Sequence, residues 1–411
     1  MAKQPFRAGL DIGSGTVRCI IGAADGSGPV KVLGGAATPC AGVSGGVVIN
    51  IGETARAIAA CVEQAEAKAK ATVSEVFLGV RGAHIQSLNN RGAFNIARTD
   101  KEVTDDDVQS VLANAKAVGL SADREILHVV AQYFSLDHQR GIPNAVGMEG
   151  SLLEANVHLV TAATAQLNNV MKSVGEAGFV VVEPVYSLLA VGEQLVSAEE
   201  KDLGALLIDI GGQSISLGIY ADGSLRYSKE LAIGADAVTR DLAFGLETSL
   251  LTAERIKMDH GVAHPSLFED DEEIKFSGID GRTTVKSSAS AVMDIILPRV
   301  EEIFDIIAKD LEGSRFRDAI GPAGAILTGE GSVLRGTAKA AAQLLEMKAR
   351  VGVAHPSKVS ADEKWLDPAY ATALGLLTFS AHPGRDIGAR IRGRNHTLWL
   401  RKAVSFLSEL F

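Results

Sequence analysis

Apolar runs of strand length open the chain. Residues 7–12 and 17–23 are continuous apolar stretches separated by Gly13-Ser14-Gly15, the pattern of a β-hairpin. Residues 30–37 read as a third strand, and Gly45-Gly46 precedes a short extended stretch at 47–50. The spacing then changes. Ala55, Ile58, Ala59 and Val62 recur at helical intervals and predict a helix over 51–70, after which 75–80 is again a strand, ending at Arg81-Gly82. Thr104 followed by Asp105-Asp106-Asp107 is a helix start, with a capping hydroxyl and acidic residues at the positive end, so 108–117 is helical. Strands are expected at 125–134 and 152–159, with Ile142-Pro143-Asn144 as a loop between them. A helix at 165–177, a strand at 179–183 stopping at Pro184, and a helix at 185–196 complete the first half.

The second half begins as the first did. Residues 205–210 and 215–219 are again two apolar runs around a polar turn, followed by an Asp222-Gly223 hairpin turn and a strand at 229–232. Gly234-Ala235-Asp236 leads a helix through 243, and 252–258 is another. The acidic stretch 269–273 reads as a solvated loop. Residues 292–311 form a long amphipathic helix that carries Pro298, 325–329 is a strand, and 368–379 is a helix with small residues spaced for close packing.

The repeated phrase is the strongest chemical signal. Asp11-Ile12-Gly13-Ser14-Gly15-Thr16 and Asp209-Ile210-Gly211-Gly212-Gln213-Ser214 both place an Asp at the end of an apolar strand and glycine in the turn that follows. Glycine allows positive φ and brings no Cβ, so such a turn can converge its N–H groups on phosphate oxygens. The two aspartates can hold a divalent cation through water. One Asp-x-Gly is weak, because tight hairpins use the same residues structurally. Two copies at domain-sized separation predict two related halves around one nucleotide.

Composition narrows the class. The chain is 46% hydrophobic and 5% aromatic, enough for a large core with close backbone packing. Its net charge of −10 argues against a nucleic-acid partner. Three cysteines with no C-x-x-C spacing fit a reducing compartment rather than a disulfide framework. The charge is uneven. From Arg385 to Phe411 six basic residues face two acidic ones, a tail of +4 that leaves −14 on the remainder. Residues 397–411 wound as a helix put Leu398, Trp399, Leu400, Phe406, Leu407, Leu410 and Phe411 on one side, with Arg401 and Lys402 on the other. Such a helix is too short to span a bilayer and suited to lie in its interface, helped by Arg390, Arg392 and Arg394. A terminal helix docked on the protein's own core is the alternative.

Beyond these patterns, the chain resembles the FtsA family of bacterial cell-division proteins in the actin superfamily. The resemblance is carried by residues 10–14, 47–50, 127–132, 141–147, 157–160, 209–212, 254–257, 326–329 and 370–377 and covers essentially the whole chain. It implies an actin-like, duplicated ribonuclease H-like α/β fold of two lobes, with a small inserted α+β subdomain of the 1C or SHS2 type and a C-terminal amphipathic helix. On that pattern, 1–82 and 161–201 are subdomain 1A, 83–160 is the 1C insertion, 202–230 and 305–384 are 2A, 231–304 is 2B, 385–396 is a linker and 397–411 is the membrane helix. It implies ATP or ADP with Mg²⁺, the cation held through water by Asp11 and Asp209. The nucleotide would contact Asp11, Gly13, Ser14, Gly15, Thr16, Asp209, Gly211, Gly212, Gln213 and Gly234. Its adenosine would lie on Gly329, Glu330 and Gly331, and Glu254 and Lys257 would reach ribose or base.

Partners follow from the same resemblance. They are the FtsZ C-terminal tail, with Arg299 as a contact, further copies of this chain in filaments, the anionic inner-membrane surface at the division septum, and other division proteins. Glu183 is the candidate for positioning a water. The second loop departs from the family's Gly-Gly-Gly-Thr and the acidic residue beyond it, having Gln213, Ser214 and Ser216, and Glu330 replaces a glycine of the adenosine loop. Weak or absent ATP hydrolysis is therefore expected. Another actin-superfamily ATPase or a small-molecule kinase remains the alternative.

Overall fold

A computed structural model describes residues 6–23 and 28–381. The expectations for the tail, including the helix at 397–411 and the linker before it, lie outside the described residues.

The first lobe is built on strands β1 (Phe6–Ile12), β2 (Thr16–Ala23) and β3 (Val30–Pro39), a short hairpin of β4 (Val43–Ser44) and β5 (Val47–Val48), helix α1 (Ile51–Ala69) and strand β6 (Glu75–Val80). Helix α1 starts where Asn50 accepts the N–H of Glu53 and stops where Lys70 takes a left-handed φ of 51°. The inserted module follows: β7 (Ile85–Asn95), α2 (Asp105–Ala115), β8 (Arg124–Leu136), β9 (Gln139–Ile142) and β10 (Leu152–Ala163), with strands in the order β7-β10-β8-β9. Thr104 and Asp107 make a reciprocal capping box at the head of α2. The polar pattern gave no sign of β7, and β9 occupies part of the expected loop. The first departure has a physical cause. Module strands use polar side chains to grip the second lobe, as when Ser87 Oγ donates to Ser228 O at 2.7 Å and Asn89 Nδ2 to Arg226 O at 2.9 Å.

The chain returns through α3 (Thr164–Glu176), β11 (Val180–Tyr186), α4 (Ser187–Leu195) and α5 (Ala198–Leu203). Strand β11 does not stop at Pro184 but runs to Tyr186. It lies at the edge of the sheet, where a missing backbone donor is tolerated.

The second lobe repeats the plan with β12 (Ala205–Ile210), β13 (Ile215–Ala221), β14 (Ser224–Leu231), α6 (Asp236–Gly245), α7 (Leu250–His260), a two-stranded β15 (Glu273–Ser277) and β16 (Thr284–Ser288), α8 (Ala289–Gly313), β17 (Gly324–Thr328), α9 (Thr337–Leu344) and β18 (Ala349–Val351). The sheets run β11-β6-β1-β2-β3 and β18-β17-β12-β13-β14. In each, the Asp-bearing strand pairs antiparallel with its hairpin partner and parallel with the strand on its other side. Both sheets are covered on two faces, so β12 and β13 are buried along their whole length and read as apolar runs interrupted at Asp209 and Ser216.

One boundary differs from the sequence expectation of 305–384 as part of 2A. Strand β19 (Val359–Ser360) adds to the outer edge of the first sheet beside β3, and helix α10 (Ala371–Ala381) packs on α4 and β1. A Cβ on Gly9 would lie 2.2 Å from Ala373 O, and one on Gly375 would lie 2.4 Å from Ala190 O. Glycine at both positions lets the helix sit directly on backbone. The end of the described chain therefore straps back onto the first lobe. Among the described residues no helix is long and apolar enough to cross a membrane.

Candidate functional site

The two Gly-rich turns face one cleft. Asp11 stands opposite Arg18 in the first hairpin and Asp209 opposite Ser216 in the second. The Gly13 N–H donates to Thr16 O at 3.0 Å, and the Gly211 N–H donates to Ser214 O at 2.9 Å, so the turns share one backbone plan. Their glycines do not use positive φ, contrary to the sequence argument. On the second-lobe side glycine is needed for space. A Cβ on Gly212 would sit 2.7 Å from Asp236 Oδ1, and one on Gly234 would sit 2.4 Å from Gly211 O. Gln213 accordingly fits its position without a left-handed backbone.

Gln213 does more than fit. Its Oε1 accepts from Ser44 Oγ and from the Gly45 N–H, each at 3.0 Å, and its Nε2 donates to Asp236 Oδ2 at 3.1 Å. Ser44 and Gly45 belong to the β4–β5 hairpin of the opposite lobe, so Gln213 straps the cleft. Ser14 Oγ receives the Gly46 N–H at 3.4 Å on the same side, while Gly15 is exposed at the tip of its turn and Thr16 begins β2.

Beneath the turns lies a buried acid pair. Asp11 is 4% and Asp209 1% exposed. Between them stands Arg81, the residue after β6. One of its terminal nitrogens, Nη2, is 3.0 Å from Asp209 Oδ2 and 3.6 Å from Asp11 Oδ1, and donates to Thr372 Oγ1 at 2.5 Å. Burial works against its charge, but Asp11 and Asp209 outweigh that and raise its pKa. Burial pushes the Asp209 carboxyl up, with Arg81 opposing and Asp11 adding repulsion.

A third carboxylate sits nearby. Glu230 on β14 is paired across the strands with Ser216, so the carboxylate absent at 216 stands one strand over. Its Oε1 accepts from Tyr186 OH at 2.8 Å and its Oε2 from the Gly82 N–H at 3.1 Å. Burial raises its pKa from 4.5 to about 7 against those hydrogen bonds and Arg81. A raised folded pKa means the folded chain holds the proton where the unfolded chain has lost it. The stability tied to that proton is complete below pH 4.5 and is lost as pH rises through about 7. Glu230→Gln, which keeps the neutral form, should therefore gain about 3 kcal/mol on the wild-type chain across that window. Urea melts of both proteins at acid and alkaline ends of the window test this, and parallel pH profiles would refute it.

The side of the cleft where the sequence pattern places adenosine is formed by the turn after β17. Gly329 has φ 82°, and a Cβ there would lie 2.4 Å from Asp209 Oδ1. A Cβ on Gly331 would meet the Ile210 side chain at 2.3 Å. Glu330 does not point away from the cleft but forms an ion pair across it with Arg18, whose guanidinium stands 5.8 Å from the centre of the Tyr370 ring. Next to this turn is an apolar cavity lined by Ile210, Ala235, Val238, Met258, Phe304 and Leu334, with Lys257 and Glu330 as its charged walls.

Glu254 and Lys257 form an ion pair along one face of α7. Lys257 is buried, with Nζ 2.7 Å from Glu254 Oε2 and 2.8 Å from Thr239 Oγ1, so a single ammonium ties α7 to α6. That leaves Lys257 at the cavity wall with its position fixed.

The other predicted residues lie elsewhere. Glu183 is in the row of Phe77 and Gly9, one pleat short of Asp11 and two strands away, about 12 Å by strand geometry. Arg299 on α8 makes a two-pronged pair with Asp241 of α6, at 2.5 and 3.1 Å, and also pairs with Glu302, so its first role is to hold two helices of the second lobe together. Sequence reading missed Arg81, Glu230, Arg18 and the strapping role of Gln213. Arg81 had one available signal. It is a charged residue at the carboxyl end of a parallel strand beside the Asp-bearing strand, where sites of α/β sheets form.

Two turns bring glycine backbone to the cleft, and the cavity beside Gly331 is apolar, so a nucleotide fits. A divalent cation bridging Asp11 and Asp209 does not fit the arrangement as it stands, since a guanidinium holds that position.

Two halves of like topology, each offering an Asp-ended strand and a Gly-rich turn to a shared cleft, define an actin-like ATPase fold. Solved structures agree on the fold. A PilM–PilN type IV pilus biogenesis complex aligns with TM-score 0.66 at 20% identity, covering 92% of this chain and 99% of that one. MreB5 of Spiroplasma citri bound to ADP aligns with TM-score 0.54 at 14% identity, covering 91% and 95%. The family model for the cell division protein FtsA matches residues 206–375, and that for the SHS2 domain inserted in FtsA matches 82–161. FtsA of Pseudomonas aeruginosa is 34% identical over 378 residues, 92% of this chain and 90% of the relative. FtsA of Escherichia coli is 28% identical over 416 residues, covering 98% and 97%. The chain belongs to the FtsA family of cell-division proteins.

Proposed function

We propose that this chain binds ATP or ADP in the cleft between its lobes, assembles with further copies of itself, and tethers FtsZ filaments to the cytoplasmic face of the inner membrane at the septum, where it recruits other division proteins. The observation that carries this reading is the pair of Gly-rich hairpins closing on one cleft that is strapped from both sides by Gln213 and by the Arg18–Glu330 pair. Nucleotide phosphates would be held by the turns at 11–16 and 209–214 and the base by the cavity beside Gly331. An MreB5 bound to AMPPNP and a MamK double helical filament share the fold, which favours nucleotide binding and self-assembly here too. The cleft acts as a hinge that senses nucleotide, with little hydrolysis.

Membrane attachment rests on the tail. A single helix at 397–411 binds reversibly, and a filament bearing many of them holds firmly, since each later contact is intramolecular. The acidic remainder of the chain would be repelled by anionic lipid and stand off the surface.

The test is co-sedimentation with vesicles containing phosphatidylglycerol, with and without ATP and an FtsZ tail peptide. Deleting residues 397–411 should reduce bound protein at least tenfold, a change of about 1.4 kcal/mol or more in binding free energy. Unchanged sedimentation after the deletion would sink the membrane reading.

A further inference from the structure

The cation expected between the two aspartates is already part of the chain. Register puts it there. Strand β6 runs parallel to β1 with Gly79 beside Asp11, so Arg81, two residues on, leaves the sheet at the edge where the aspartate projects. Its backbone is held on both sides. A Cβ on Gly46 would lie 2.4 Å from Arg81 O, and the next N–H, that of Gly82, is bound by Glu230. Its side chain is held as well, by Thr372 and both aspartates. The other terminal nitrogen, Nη1, lies 3.3 Å from where a Cβ on Gly211 would be, against the glycine of the second turn. The guanidinium thus touches both halves of the cleft at the level where the turns offer their N–H groups.

We propose that Arg81 is the resident cation of this cleft, standing in for a bridging divalent metal, and that a nucleoside di- or triphosphate is held by Arg81 and the two turns without need of Mg²⁺. The inference rests on the nucleotide reading given above. Chemistry favours it in two ways. Two carboxylates and one guanidinium leave a single negative charge, and a second, doubly charged cation in the same gap would meet Arg81 directly. A guanidinium is always charged and offers a planar fork of N–H donors to phosphate oxygens. Unlike a metal it is tethered, so the positive charge of the site does not vary with free Mg²⁺.

The experiment is titration of the full chain with a fluorescent ADP analogue, and with ATP in competition, in excess Mg²⁺ and again in excess EDTA. The expected result is a Kd that is the same within about fivefold, under 1 kcal/mol. Tight binding in Mg²⁺ that weakens by more than that in EDTA overturns this inference and leaves the nucleotide reading standing. Absence of binding in both conditions overturns the nucleotide reading and this inference with it. In Arg81→Ser, binding should become Mg²⁺-dependent, because the gap between the aspartates is then open to a hydrated cation. Should that variant fail to fold, the wild-type comparison decides alone.

Discussion

Arg81→Met lowers the folding stability of the chain by roughly 3–5 kcal/mol, the cost of stranding a buried charge by removing its partner. Both aspartates are almost wholly shielded from water, and Arg81 lies within 4 Å of each. Methionine keeps much of the volume and removes the charge, so lost packing is a small part of the effect. The buried carboxylates must then repel each other or take up a proton. The companion experiment separates this cause from general damage. Arg81→Met combined with Asp11→Asn and Asp209→Asn removes all three charges together and should recover most of the loss, because a neutral core of the same shape has no stranded ion. Urea denaturation of the three proteins, wild type included, measures it. A single variant within about 1 kcal/mol of wild type would mean that the ion cluster is solvated and that Arg81 is dispensable.

Gly329→Ala should weaken nucleotide binding by at least tenfold and cost about 2–4 kcal/mol of stability, from left-handed strain together with overpacking. Two independent features act at this residue. Its φ of 82° is unfavourable for any side chain, and the added methyl would lie 2.4 Å from Asp209 Oδ1 and 2.5 Å from Ile210 O. Relief requires the turn at 329–331 to move off β12, which displaces Glu330 from Arg18 and opens the cavity wall at Gly331. Gly119→Ala, in the inserted module away from the cleft, is the control. It meets nothing within 4 Å and has an ordinary φ, so it should bind nucleotide within about threefold of wild type and keep its stability within about 0.5 kcal/mol. Equal behaviour of the two variants would show that the adenosine turn is not under the constraint described.

Much of the architecture is legible in the pattern of residues. The Asp-ended strands and their turns are local, and so is the capping box at Thr104, since each depends on residues a few positions apart. Strands buried on both faces are also plain, as β12 and β13 are apolar but for Asp209 and Ser216. Strand β7 is not, because Ser87 and Asn89 are polar for the sake of a contact with β14 in the other lobe. A hydrophobic pattern records which residues avoid water. It does not record which polar residues find partners across a domain boundary.

Helix α10 shows the same limit from the opposite side. Its residues from Ala371 to Thr378 are buried, so it is apolar all round and has no face that names a lobe. Contacts across elements fix where it lies, Gly9 on β1 and its own Gly375 against α4 together with the hydrogen bonds of Thr372 to Arg81 and of Thr378 to Gln194.

By itself, then, the sequence determined the duplicated Asp–Gly hairpins, most of the strands and helices around them and the charge asymmetry of the tail, because these follow from short-range pattern and composition. Tertiary structure decided what fills the gap between the two aspartates. Asp11, Arg81 and Asp209 come from three strands that are distant in the chain, and they meet because β6 lies parallel to β1 in a register that brings residue 81 to the sheet edge facing the other lobe. Register is a property of the folded sheet, and no local feature of Val80-Arg81-Gly82 states which carboxylates its cation will find.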